Sequence, residues 1–156
     1  MIEIDIPGRY NFSLENLLLD VNGTIYLDGK IIDGVKQRLQ ELNQKLNIYI
    51  VTANTHDNAG YLEQGLGIAP HIISPGREAS QKLSLAKLLG KEKCIAIGNG
   101  ENDALMLKQC AIGICVIGRE GASAEAVQHA DIVINDIKDA LDLLLHPKRL
   151  IATLRR

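Results

Sequence analysis

Leu17-Leu18-Leu19-Asp20-Val21-Asn22-Gly23-Thr24 decides how the rest of the chain is read. The leucines form an apolar run without the alternation of a half-exposed strand. Such runs belong to parallel strands covered on both faces. An aspartate follows, and a glycine-containing turn comes at once. Ligands of an open parallel sheet bind outside the carboxyl ends of its strands. Asp20 therefore faces a crevice and not the core, where it can serve as nucleophile, metal ligand or both. Two residues further on stands Asn22, at a place where an acid would be useful.

Working outward, six short apolar segments predict strands over 16–21, 47–52, 71–74, 93–98, 113–118 and 131–135. Helical patterns lie mostly between them. Val35, Leu39 and Leu42 share one face, and 80–89 gathers Leu85, Leu88 and Leu89 before the cap candidate Gly90. Residues 136–145 form another helix, which Pro147 ends or follows with a second short one. Strand and helix in alternation predict an α/β fold: a doubly wound, Rossmann-like parallel sheet of about six strands with helices on both faces. Residues 1–13 read as an added edge strand or hairpin, and 136–156 as a C-terminal helical segment. With no linker or repeat in 156 residues, a single domain over 1–156 is expected.

Composition narrows the function classes. Hydrophobic residues at 46% and charged residues at 23% are globular values. A net charge of −2, from 17 basic and 19 acidic residues, points to no nucleic-acid or membrane-surface partner. The longest apolar runs, such as 112–117, fall far short of the roughly 20 residues of a membrane span. The N-terminus alternates apolar and acidic residues, as a strand does and a signal peptide does not. Cys94, Cys110 and Cys115 form no C-x-x-C pair and read as buried free thiols, which suits a reduced, cytoplasmic protein.

Chemistry gathers at the predicted strand and helix ends. Thr52 closes the second core strand, Lys82 lies near a helix start, and Asn99 and Asp103 fall in the turn Gly98-Asn99-Gly100-Glu101-Asn102-Asp103. Together these suit a phosphate site. A hydroxyl and a helix N-terminus donate to phosphate oxygens, a lysine offsets charge, and carboxylates hold Mg²⁺ through hard oxygen ligands. His56, just after the Thr52 loop, is a further candidate for substrate contact, whereas His71, His129 and His146 show no metal spacing. The glycine loop 118–123 reads as a strand-to-helix turn, with the alternative that it lines the rim of the site.

These motifs, in this order, resemble the haloacid dehalogenase (HAD) superfamily over residues 14 to 145. Its pattern is D-x-D-G-T, a strand-end Ser/Thr, a lysine and G-D-G-x-N-D. Here it reads Asp20-Val21-Asn22-Gly23-Thr24, Thr52, Lys82 and Gly98 to Asp103. The stretch from Gly98 to Leu107 is most similar to the phosphorylation domain of P-type ATPases, and more narrowly to small soluble P-type-ATPase-like proteins. The resemblance implies a Mg²⁺-dependent phosphohydrolase acting through an aspartyl-phosphate at Asp20. Asn22 would lend its main-chain carbonyl to the metal, Thr52 and Lys82 would hold phosphoryl oxygens together with Gly23 and Ala53, and Asn99 and Asp103 would complete the metal site.

Two departures accompany it. The family's phosphatases carry an aspartate where Asn22 stands, which protonates the leaving group and activates water. Asn99 replaces a carboxylate that binds Mg²⁺. Slow turnover is therefore expected. Two alternatives stand beside the phosphohydrolase reading: a catalytically weak phosphate-binding or regulatory protein, and soluble ATPase-like phosphoryl transfer. The gaps between motifs leave no room for a cap domain, so a homo-oligomer or a large phosphorylated substrate is expected to cover the site.

Overall fold

The computed structural model describes residues 1–53 and 58–156. Its centre is a six-stranded parallel sheet. The strands, numbered in chain order with those outside the sheet, are β3 (Asn16–Asp20), β6 (Asn47–Thr52), β7 (His71–Ile72), β8 (Cys94–Gly98), β9 (Ile112–Val116) and β10 (Ile132–Ile134), in the order β10-β9-β8-β3-β6-β7. The chain begins in the middle, runs out to one edge through β6 and β7, then returns to the far side of β3. Strand order thus reverses between β3 and β8, the kind of switch point where open sheets bind ligands. Register sets the same three strand ends side by side, with Asp20 opposite Val51 and Leu19 opposite Ile97.

The two faces of the sheet differ in bulk. Leu17, Leu19, Ile48, Ile50, Ile95 and Ile97 point into a large aliphatic core with α1 (Val35–Leu42), α2 (Ala59–Leu66), α6 (Ile137–Leu145) and α7 (Pro147–Leu154). Leu18, Cys94, Ala96 and Cys115 face the smaller core under α3 (Glu78–Leu88), α4 (Ala104–Gln109) and α5 (Ala124–His129). All five residues of β3 are buried, as its unbroken apolar run predicts. Cys94, Cys110 and Cys115 are free thiols, all buried in the smaller core. Among the described residues no helix is long and apolar enough to cross a membrane.

The N-terminus departs from the edge position expected of it. Strands β1 (Ile2–Asp5) and β2 (Asn11–Leu14) form an antiparallel hairpin that is a sheet of its own. The reason is its tether. Glu15 alone separates β2 from β3, and both neighbouring places beside β3 are taken by β6 and β8. No edge is within reach, so the hairpin lies at the N-terminal end of the central strands. There Glu15 N–H donates to Lys93 C=O and Asn47 N–H to Glu15 C=O, both at 2.9 Å. Arg156 N–H reaches Pro7 C=O at 2.9 Å, so the chain's last residue closes on the hairpin turn. A second small hairpin, β4 (Tyr26–Leu27) with β5 (Lys30–Ile31), follows the Asp20 turn.

Candidate phosphate and metal site

The turn after β3 stops the strand one residue earlier than the apolar pattern suggests. Val21 C=O accepts from the N–H groups of Thr24, Ile25 and Tyr26 at 3.0–3.1 Å, which bends the chain directly after Asp20. That bend presents Asp20 and Asn22 to a cleft of about 530 Å³, lined also by Thr52, Ala53, Lys82, Asn99, Asn102 and Glu120. The carboxylate of Asp20 is held from two sides. Lys82 Nζ donates to Oδ1 at 2.8 Å, and Thr24 Oγ1 donates to Oδ2 at 3.1 Å.

Lys82 takes a place that helical periodicity would give to an apolar residue. It shares the buried face of α3 with Leu85 and Ala86, three and four residues on, and is only 2% exposed. Its ammonium bridges two carboxylates, with Asp103 Oδ1 at 2.6 Å and Asp20 at 2.8 Å. Burial alone would lower the Lys82 pKa; the charges of Asp20 and Asp103 outweigh it and hold the group above its ordinary value. Asp103 is fully buried. Burial, reinforced by the Asp20 charge, pushes its carboxyl up to about 7 despite the Lys82 bond.

Asp103 also builds the turn that carries Asn99. Its Oδ2 accepts from Asn99 N–H at 3.1 Å and Gly100 N–H at 2.9 Å. Gly98 is required beneath it, since a Cβ there would stand 2.4 Å from the Asp103 carboxyl. The turn directs Asn99 toward Thr24, whose Oγ1 lies 3.2 Å from Asn99 Oδ1. Thr24 has one hydroxyl proton for two acceptors, Asp20 Oδ2 and Asn99 Oδ1. Two oxygens converging with too few protons between them suit a hard cation. Mg²⁺ fits, because it commonly binds through one or two carboxylates and keeps most of its water. The set is lean in charge, however. Among the described residues no group of three His, Cys, Asp or Glu side chains could hold a metal.

The structure thus brings Asp20, Asn22, Thr52, Ala53, Lys82 and Asn99 to one cleft, with Asp103 beneath Lys82. Gly23 lies in the same turn but lines a neighbouring hollow of about 680 Å³, together with Lys30, Arg119 and Lys138. His56 lies outside the described residues. Two further residues at the cleft were given no role in the sequence reading. Thr24 is buried between Asp20 and Asn99, a contact signalled only by its spacing of four from Asp20. Glu120 stands at the cleft, so the loop read first as a strand-to-helix turn takes up the alternative of lining the rim. Glu78 also lines the cleft, its carboxylate lowered in pKa by the Gly76 N–H it accepts.

Comparison with known proteins agrees with the fold. A family model described as haloacid dehalogenase-like hydrolase matches residues 7–111. An uncharacterised protein of Methanocaldococcus jannaschii is 54% identical over 84 residues, 51% of this chain and 90% of that one. The chloroplastic copper-transporting ATPase PAA1 of Arabidopsis thaliana is 24% identical over 157 residues, covering 99% of this chain but 16% of the ATPase. Among solved structures, the 3-deoxy-D-manno-octulosonate 8-phosphate phosphatase of Moraxella catarrhalis superposes with a TM-score of 0.67 at 21% identity, over 92% of this chain and 94% of that one. That structure was determined with magnesium, phosphate and the sugar acid.

Proposed function

The chain belongs to the haloacid dehalogenase-like hydrolases, and from that premise we propose that it is a slow, Mg²⁺-assisted phosphohydrolase with Asp20 as nucleophile. One observation carries the reading: a strand-end carboxylate held at 2.8 Å by a buried lysine, in the lining of an open cleft. Asp20 forms a bond to phosphorus as the bond from phosphorus to the leaving oxygen breaks, giving an aspartyl-phosphate. The leaving oxygen takes its proton from water, because Asn22 has none to give. A second water then attacks phosphorus, releases inorganic phosphate and restores the Asp20 carboxylate. Its surplus proton passes to solvent.

Thr52, Ala53 and Lys82 offer donors and positive charge to the phosphoryl oxygens, which is most of what phosphoryl transfer requires. Asp20, the Asn22 carbonyl and Asn99 would hold Mg²⁺, with Asp103 behind them; when bound, the ion neutralises phosphoryl charge. The cleft is open, so a second copy of the chain or the bulk of the phosphorylated substrate would exclude water from it. The test is hydrolysis of p-nitrophenyl phosphate and acetyl phosphate with Mg²⁺. Wild type turns over both, and Asp20→Ala falls to the uncatalysed background. Equal rates in the two proteins sink the enzyme reading.

A second reading has its own support. Asn22 and Asn99 stand where the family's phosphatases carry acids, which favours a protein that binds phosphate and turns it over negligibly. Asn99→Asp addresses the metal half of that deficit. Restoring one carboxylate beside Asp20 is expected to tighten Mg²⁺ binding by about tenfold or more, since ligand charge count tunes such sites. Calorimetry showing no change removes position 99 from the metal site.

A further inference from the structure

We propose that Glu120 supplies, across the water shell of Mg²⁺, the carboxylate charge that Asn99 lacks. The inference rests on the reading of the cleft as a Mg²⁺ site. Charge is the motive. Of the charged side chains at the cleft floor, Asp20 and Asp103 share the single cation of Lys82. When both are ionised they leave a net formal charge of −1 for a divalent ion. Asn99, the side chain that would add more, is an amide.

Glu120 is placed to answer this by the loop that carries it. It stands between two glycines in left-handed conformation, Gly118 at φ 61 and Gly121 at φ 78, which turn the chain back toward β3. The loop is bolted to the site. Ser123 N–H donates to Asn99 C=O at 2.9 Å, and Asn99 Nδ2 donates to Gly121 C=O at 3.1 Å. Gly118 packs on the main-chain oxygen of Gly23, where an added Cβ would sit at 3.1 Å. The Glu120 side chain then lies over Gly23 itself. A Cβ built on Gly23 would stand 2.4 Å from Glu120 Oε2 and 2.5 Å from Asn99 Nδ2, so carboxylate and amide border one point.

Glu120 has no structural task that would account for this position. It is exposed at the cleft mouth and, among the described residues, makes no hydrogen bond or ion pair. An ordinary solvated rim charge has no need of two left-handed glycines and a loop anchored on Asn99. A carboxylate outside the ligand shell acts by orienting and charge-balancing the ion's waters. Losing such a partner typically costs about 10–100-fold in metal affinity.

The experiment is calorimetric titration of MgCl₂ into the full chain near physiological ionic strength, without substrate. Glu120→Gln is expected to weaken Mg²⁺ binding by about 10–100-fold while leaving the far-ultraviolet spectrum and thermal midpoint unchanged. Glu78→Gln, at the start of α3, removes the same charge from an element that no hydrogen bond joins to Asn99 among the described residues, and is expected to have a much smaller effect because the field is screened. Adding Asn99→Asp to Glu120→Gln is expected to recover the loss. Equal affinities for wild type and Glu120→Gln overturn the role of Glu120 and leave the metal site standing, as does an equal loss in Glu78→Gln. A wild type that binds no Mg²⁺ overturns both.

Discussion

Asn22→Asp is expected to raise turnover of alkyl phosphates by about 10²–10⁴-fold, the usual worth of positioned general acid–base catalysis. The backbone is already arranged for it. Three N–H groups converge on Val21 C=O, fixing the turn, and residue 22 lines the cleft two positions beyond Asp20. The substitution exchanges an amide for a carboxyl of nearly the same size, so the change is one of proton chemistry and not of packing. Leaving-group chemistry sharpens the test. Acetate and p-nitrophenolate depart without a proton, so for acetyl phosphate and p-nitrophenyl phosphate the acid gives little to the first step. If formation of the aspartyl-phosphate is limiting, the gain is confined to alkyl phosphates. If its hydrolysis is limiting, the gain is the same for all substrates, because the same carboxylate activates the attacking water. Steady-state rates with the three substrate types, alongside acid-quenched phosphoenzyme, separate the two cases. Unchanged rates with all three show that proton transfer at position 22 does not limit this enzyme.

Much of the candidate site is legible in the sequence because its parts lie where local patterns end. Asp20 and Thr52 close apolar runs, and a run's end is readable from composition alone. Lys82 was legible through its motif and not its pattern: on a helix it reads as a solvated charge, yet it occupies the buried face with Leu85 and Ala86. What compels that burial is the pair of carboxylates it bridges, and these lie 62 and 21 residues away in sequence. Thr24 and Glu120 were harder for the same reason. Their roles depend on how two loops from different strands meet across the switch point, which no single-segment periodicity records. The N-terminal hairpin was misplaced because alternation identifies a strand but not its partner. Only the crowding of β3 by β6 and β8 excludes an edge position.

Lys82→Met carries the largest expected effect on stability, a loss of about 3–5 kcal/mol near pH 8, the cost of removing one partner from a buried ion pair. Methionine fits the aliphatic course of the lysine along α3, so the loss is chiefly electrostatic: Asp20 and Asp103 are left facing each other without a cation. The pH dependence identifies the cause. Asp103 already has a folded-state pKa raised to about 7. A carboxyl with a raised folded pKa contributes stability that is fully present below its unfolded value, about 3.9. That contribution is lost as pH rises through the folded value. Without Lys82 the folded value rises further, so the variant's deficit grows between pH 5 and pH 8. At pH 5 Asp103 holds its proton in both proteins, and the difference between them narrows. Urea unfolding of both proteins at the two pH values measures it. Under the proposed metal site, Mg²⁺ would offer Asp20 an alternative cation and is expected to recover part of the loss at pH 8, by binding the native state alone. A deficit of equal size at pH 5 and pH 8, indifferent to Mg²⁺, would assign the effect to packing along α3 and remove the ammonium from the electrostatics of Asp20.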